Sequence, residues 1–215
     1  TDCGSEESDA TYSINFTTSC VTVVDFPYFE GFENGLTCWS IVNITGSEQW
    51  TQSNGSNMNS YSGIAPMTDG GGQYFAETHG TTRGNVNRFI SPIFDISMLD
   101  TPVLSFYHLQ KAWVSDIDNL KVYYKADLSD DWTQIANYTE GISTWRRDTI
   151  ILPNPSETYQ LAFEANLDYG YGVCIDNVSI YESAGEQPEP CDAPTALTVN
   201  NITQTSADFT WNGTA

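Results

Sequence analysis

The chain has 215 residues, with 28 Asp and Glu against 7 Lys and Arg, a net charge of -21 and 16% charged residues, where an average soluble protein has roughly 25%. So few cations cannot match a phosphate backbone or an anionic bilayer, so nucleic acid and membrane surfaces are disfavoured as partners. At 40% apolar and 13% aromatic the chain can bury a core, and no apolar run reaches the roughly 18 residues of a membrane-spanning helix.

In chain order, the first unit is residues 1–20, where Cys3, a polar turn and the alternating stretch from Ala10 to Thr18 resemble the last strand of a fibronectin type III domain. Residues 21–183 carry the fold. Leu104, Phe106 and His108 alternate with Val103, Ser105, Tyr107 and Leu109, and Leu120, Val122 and Tyr124 with Lys121, Tyr123 and Lys125. Tyr159, Leu161 and Phe163 form another stripe, and Ile175, Asn177 and Ser179 alternate with Asp176, Val178 and Ile180. Period two is the signature of strands, because successive side chains point to opposite faces. Turn clusters such as Asn54-Gly-Ser, Asp69-Gly-Gly-Gly and Asp168-Tyr-Gly-Tyr-Gly punctuate the runs, and no helical period persists beyond two turns. The expectation is an all-β domain, a two-sheet antiparallel sandwich. Residues 184–190, rich in Pro and Glu, read as a linker. Residues 191–215 resemble the first two strands of a following fibronectin type III domain, with Trp211 pointing inward.

The order of short motifs in the middle segment is more specific than its composition. Phe32-Glu33-Asn-Gly-Leu-Thr-Cys-Trp39 is followed by Trp50, by Pro66-Met-Thr-Asp69-Gly-Gly-Gly-Gln-Tyr74-Phe-Ala-Glu77, and by Arg88-Phe-Ile-Ser-Pro-Ile-Phe-Asp95. Val103 to His108, Leu120 to Tyr124, Trp145, Tyr159 to Glu164 and Val173 to Ile180 complete the series. The segment resembles a MAM domain and the related cleaved-adhesin domains of gingipain-type bacterial surface proteins. The resemblance implies a jelly-roll sandwich, a secreted or cell-surface setting, a non-catalytic role in adhesion or ligand binding, and a structural calcium ion. A MAM domain usually carries four ordered cysteines, and here only Cys38 lies near a matching position.

Calcium takes six to eight oxygen ligands, which scattered positions can supply where strand ends meet. Glu33 matches the family's Phe-Glu motif, Asp69 the acid ahead of the Gly-Tyr strand, and Asp176 the Ile-Asp of the last strand; Glu77 is a weaker fourth candidate. Each alone also reads as a solvated acid. Asp116 and Asp118 lack the glycine and distant Glu of an EF-hand loop and read as part of a polar loop. Trp113, Tyr169 and Tyr171 form a candidate carbohydrate platform, because pyranose C–H faces stack on flat rings, whereas Trp39, Trp50 and Trp145 lie in strand patterns and are expected in the core. His108 reads as a satisfied core or interface residue and His79 as a solvated turn residue, with no nucleophile motif near either.

Five cysteines without a C-x-x-C pair fit disulfides in an oxidising compartment better than zinc. Cys20 and Cys38 flank the first strand and could staple it; Cys38 with Cys174 is the rival pairing, while Cys3 and Cys191 belong with the flanking pieces. The functional expectation is a calcium-stabilised module that binds a host or matrix protein or a glycan. The alternatives are a carbohydrate-binding module attached to a secreted hydrolase, or a structural spacer.

Overall fold

Alternating apolar and polar residues make strands with one greasy face, and such faces must be buried against each other. In the computed structural model, which describes residues 20–55, 64–65, 72–183, 195–200, 206 and 208–212, they form two antiparallel sheets. The strands are β1 (Tyr28–Glu30), β2 (Ser40–Thr45), β3 (Thr51–Ser53), β4 (Phe75–Thr78), β5 (Asn85–Ile90), β6 (Pro102–Gln110), β7 (Asn119–Lys125), β8 (Thr133–Tyr138), β9 (Ile142–Ile151), β10 (Gln160–Leu167) and β11 (Val173–Glu182). The first sheet runs β3-β4-β11-β6-β9, with β1 also paired to β11, and the second runs β2-β5-β10-β7-β8. Strands adjacent in space are mostly distant in sequence, as in a jelly roll. Among the described residues there is no helix, and so none long and apolar enough to cross a membrane. Strands β12 (Thr195–Asn200) and β13 (Asp208–Asn212) form a separate hairpin. The linker lies outside the described residues, as does most of 1–20.

The core lies between the sheets. Phe89, Phe163, Leu120 and Val122 from the second sheet meet Leu104, Phe106, Ile175 and Ile180 from the first, all fully buried. An aromatic stack fills one end: Trp39 lies 4.5 Å and Trp50 5.2 Å from Phe89, ring centre to ring centre. A second cluster, on the other face of the first sheet, joins Ile64, Phe75, Leu109 and Cys174, with half-buried Trp145 packed against it. Trp39 and Trp50 are therefore core, whereas Trp145 lies at a margin, its indole N–H donating to the Ala65 carbonyl at 2.9 Å.

Alternation in β6 does not separate a wet face from a dry one, and the second cluster accounts for this at Leu109. Leu104 and Phe106 face the sandwich, yet Val103, Ser105 and Leu109 on the reverse side are buried too. The last strand departs further from simple alternation. Its pairing with β6 slips between Asp176 and Ser179, and Asn177 adopts a φ of 48°. Such a bulge rephases the strand. Ile175 ahead of it and Val178 after it both enter the main core, although period two from the sequence puts them on opposite faces.

Cys20 and Cys38 form a disulfide, with Cα atoms 5.4 Å apart, which closes a loop around β1. Cys174 is a buried thiol in β11, so the rival pairing with Cys38 is not adopted.

Candidate functional site

Two places bring candidate residues together. The first is a corner where β1 joins β11, with Glu30 opposite Val178. Glu33 lies just past β1, in a turn rather than in the strand itself. Gly31 packs against the bulge: a Cβ there would come 3.4 Å from the Asn177 side-chain oxygen. The Glu30 carboxylate accepts the Phe32 N–H at 2.6 Å, and the Gln52 side-chain amide donates to the Phe32 and Glu33 carbonyls at 2.6 and 3.2 Å. Glu33 Oε1 accepts the N–H groups of Gln73 and Tyr74 at 2.9 and 3.0 Å. This ties the segment entering β4 to the turn after β1.

Asp176 occupies the bulge, 2% exposed, and accepts the Asn177 N–H at 2.7 Å. Burial raises its pKa to about 7, and the charges of Glu33 and Glu30 add to the rise. A carboxylate removed from water and facing like charges resists ionisation. Glu77 on β4, opposite Cys174, is 3% exposed with Oε2 lacking a hydrogen-bond partner. Burial pushes it up to about 7 against the opposing bond from Ser53. Asp69 lies outside the described residues, so of the three expected ligands Glu33 and Asp176 are placed, and the Glu33 charge acts on Asp176. Among the described residues, no group of three or more His, Cys, Asp or Glu is arranged to hold a metal ion.

The second place is built from three turns at one end of the sandwich. Before β7, Trp113 and Asp116 exchange backbone hydrogen bonds of 3.0 and 2.9 Å, closing a tight turn that leaves Trp113 42% exposed. Between β10 and β11, the 168–172 turn wraps around Asp118. That side chain is fully buried and accepts the N–H groups of Asp168, Gly170 and Gly172 at 2.6, 3.0 and 2.6 Å. Three converging amides are a strong cradle for a carboxylate. Gly170 has to be glycine, since a Cβ would lie 2.6 Å from Asp118 Oδ2. Arg83, in the β4–β5 turn, joins the other two turns through Asp116 at 2.7 Å and Asp168 at 2.8 Å.

On this scaffold Trp113 and Tyr169 meet edge to face, ring centres 5.0 Å apart. The Arg83 guanidinium sits 5.7 Å from the Tyr169 ring, and the Lys111 ammonium 5.6 Å from that of Tyr171. The 79–81 turn, Trp113 and the 169–171 turn line a cleft of about 320 Å³. All three aromatic residues singled out in the sequence thus border one cavity. His79 is half-buried in its wall rather than a solvated turn residue. Arg83 and the anchoring role of Asp118 carry no sequence signal of their own; the Gly-x-Gly of the 170–172 turn was the nearest clue.

His108 is fully buried, its two ring nitrogens 2.8 Å from Gln110 Oε1 and 2.7 Å from Asp148 Oδ2. Burial lowers its pKa. It is a satisfied core residue, as the strand pattern indicates.

The family model for the MAM domain, meprin/A5/mu, matches residues 31–192. The chain belongs to the MAM domain family. No curated protein matches the sequence. Among solved structures the domain is similar to the K1 cleaved-adhesin domain of Lys-gingipain from Porphyromonas gingivalis W83, at 20% identity and TM-score 0.58 over 74% of this chain and 100% of that one. The K2 domain of Lys-gingipain is similar at 16% identity and TM-score 0.56, over 74% and 99%. TmCBM61, solved in complex with β-1,4-galactotriose, aligns at 12% identity and TM-score 0.52, over 71% and 94%. These likenesses establish a shared jelly-roll fold.

Proposed function

We propose that this MAM domain is a non-catalytic binding module of a secreted or cell-surface protein, and that it holds a carbohydrate chain in the cleft of Trp113, Tyr169 and Tyr171. The observation that carries the reading is that exposed rings stand on a rigid frame. Asp118 fixes the 168–172 turn from inside, and Arg83 clamps that turn and the one holding Trp113 from outside, so the rings lose little freedom when a ligand arrives. A pyranose would stack its C–H face on the Trp113 indole while His79 and the turn's backbone groups bond its hydroxyls. That similar folds include one solved with galactotriose supports a glycan; that others are named adhesin domains favours a protein-bound glycan or a host or matrix protein as the alternative ligand. The Cys20–Cys38 disulfide supports an oxidising, extracellular setting. A glycan panel tests the reading. Wild type should bind at least one oligosaccharide, and Trp113→Ala should weaken that binding about tenfold or more while leaving the unfolding midpoint within a few degrees.

Calcium is proposed at the β1–β11 corner. Hard oxygen donors suit it, and a dication would offset the cost of holding Asp176 buried beside Glu33 and Glu30. Two described carboxylates fall short of six to eight ligands, so the remainder would come from Asp69, backbone carbonyls and water. Glu33 already grips Gln73 and Tyr74, four and five residues beyond Asp69. Calcium should raise the thermal midpoint and chelation should lower it, with Asp176→Asn abolishing the difference. An identical midpoint with and without the ion would remove the site.

A further inference from the structure

The outer face of the second sheet holds a grouping that the cleft and the calcium corner leave unused. Leu120, Val122 and Tyr124 point into the core, so Lys121, Tyr123 and Lys125 point outward. Pairing places Val42, Arg88, Glu164, Lys121 and Asn137 in one row across all five strands. In the next row Ala162 lies between Ile90 and Tyr123, a small residue between two larger ones. Arg88, Lys121 and Lys125 are three of only seven Lys and Arg in the chain. Glu164, 4% exposed, stands between them, 2.7 Å from Arg88 and 3.5 Å from Lys121. Glu164 offsets one of these charges, and Asp127, its pKa lowered chiefly by Ser129 and also by the nearby Lys125 charge, offsets a second, which leaves the group one positive charge ahead on a protein of net charge -21. Asp127, in the β7–β8 turn, is turned back on that turn by Ser129, at 2.6 and 2.8 Å.

The cations are interleaved with flat rings. The Arg88 guanidinium lies 4.6 Å from the Tyr123 ring centre and 5.8 Å from that of Trp132, and the Lys125 ammonium 5.1 Å from Trp132. Tyr123 Oη also donates to Glu164 at 3.3 Å. These contacts, with a bond from the Lys125 ammonium to the Leu128 carbonyl at 2.7 Å, hold the side chains in place and leave part of them accessible: Arg88 and Lys121 keep 20% and 27% of their side-chain surface.

We propose that this sheet face is a second, independent binding site, for an oligosaccharide bearing carboxylates, a uronate chain. The chain's overall negative charge repels a polyanion, while here cations would pair with its carboxylates. Cations alone would accept any polyanion. Tyr123 and Trp132 add surfaces for the C–H faces of pyranose rings, which an acidic peptide lacks, and a sheet row suits an extended chain.

The test is calorimetric titration of the whole chain with a short oligogalacturonate and with its methyl ester, at low salt and without divalent cations. Amide shifts are recorded in parallel on the wild-type protein. The acid should bind about tenfold or more tighter than the ester, and weaken steeply with added salt. Lys121→Ala with Lys125→Ala should cost about fivefold or more, and Trp132→Ala should weaken binding. The shifts should centre on Arg88, Lys121 to Lys125 and Trp132, a readout independent of any variant's folding. Equal binding of acid and ester, binding of neither, shifts centred on Trp113, or equally tight binding of a glutamate oligomer would each overturn the proposal. Failure of the Trp113 cleft to bind neutral glycans would leave this result standing, so the two readings separate.

Discussion

Asp118 and Asp176 are both buried aspartates beside turns, and they meet opposite surroundings. Asp118 sits where the 168–172 turn aims three backbone N–H groups at it. Asp176 sits in a bulge, accepts the Asn177 N–H, and is raised to about 7 chiefly by burial, with the charges of Glu33 and Glu30 adding to the rise. The lesson is that a buried acid is defined by what converges on it. Donors make Asp118 a structural post for the aromatic cleft, whereas burial without enough donors, with like charges nearby, makes Asp176 a place where a cation would lower the energy.

The largest expected effect comes from removing the post. Asp118→Ala strands three amides that the carboxylate satisfies, and should cost roughly 3 to 5 kcal/mol in urea unfolding. The same change should abolish glycan binding in the cleft, since Tyr169 and Tyr171 ride on that turn. Stability unchanged within about 1 kcal/mol would show that the cradle is not what holds the turn.

A smaller effect tests the repelled side of the contrast, using Glu77, which shares the raised state of Asp176 without being one of the three proposed calcium ligands. Folded Glu77 holds its proton up to about pH 7, whereas the unfolded side chain releases it near 4.5. Its contribution is therefore complete below pH 4.5 and is lost as pH rises to about 7. From the shift, about 3 kcal/mol is at stake. Relative to wild type, Glu77→Gln should gain stability across that window when divalent ions are absent. Parallel stability curves for the two proteins would contradict the raised pKa.

Smaller still is the Trp113→Ala effect, about tenfold in affinity with little change in folding. It separates the ligand surface from the frame that Asp118 supports.

Much of the fold was legible because strands announce themselves by alternation. The Leu120–Tyr124 and Leu161–Phe163 stripes read directly onto the core. Alternation failed where tertiary contacts intervened. Asn177 carries no sign that it takes a positive φ, so the slip that brings both Ile175 and Val178 inward was invisible. In β6 both faces are covered, because a second apolar cluster takes in Leu109 and the Arg147 side chain bonds Ser105 on the outer side. The candidate cleft was legible through its aromatic residues, since exposed rings beside Gly-rich turns are a local pattern. Its supports were not, because Asp118 reaches amides 50 to 54 residues away and Arg83 reaches Asp168 across 85. Asp116 and Asp118 read as one polar loop, yet one is a partner of Arg83 on the surface side and the other a buried acceptor.

The central claim is that the three turns present a preformed glycan surface. Its most direct test is a titration of the isotopically labelled chain with a panel of neutral oligosaccharides, β-1,4-galactotriose among them, followed by amide and indole N–H shifts. The account predicts saturable shifts at Trp113, Tyr169, Tyr171 and His79 with at least one sugar, and few elsewhere. Saturable binding whose shifts avoid these four residues, or no binding by any sugar in the panel, would contradict it.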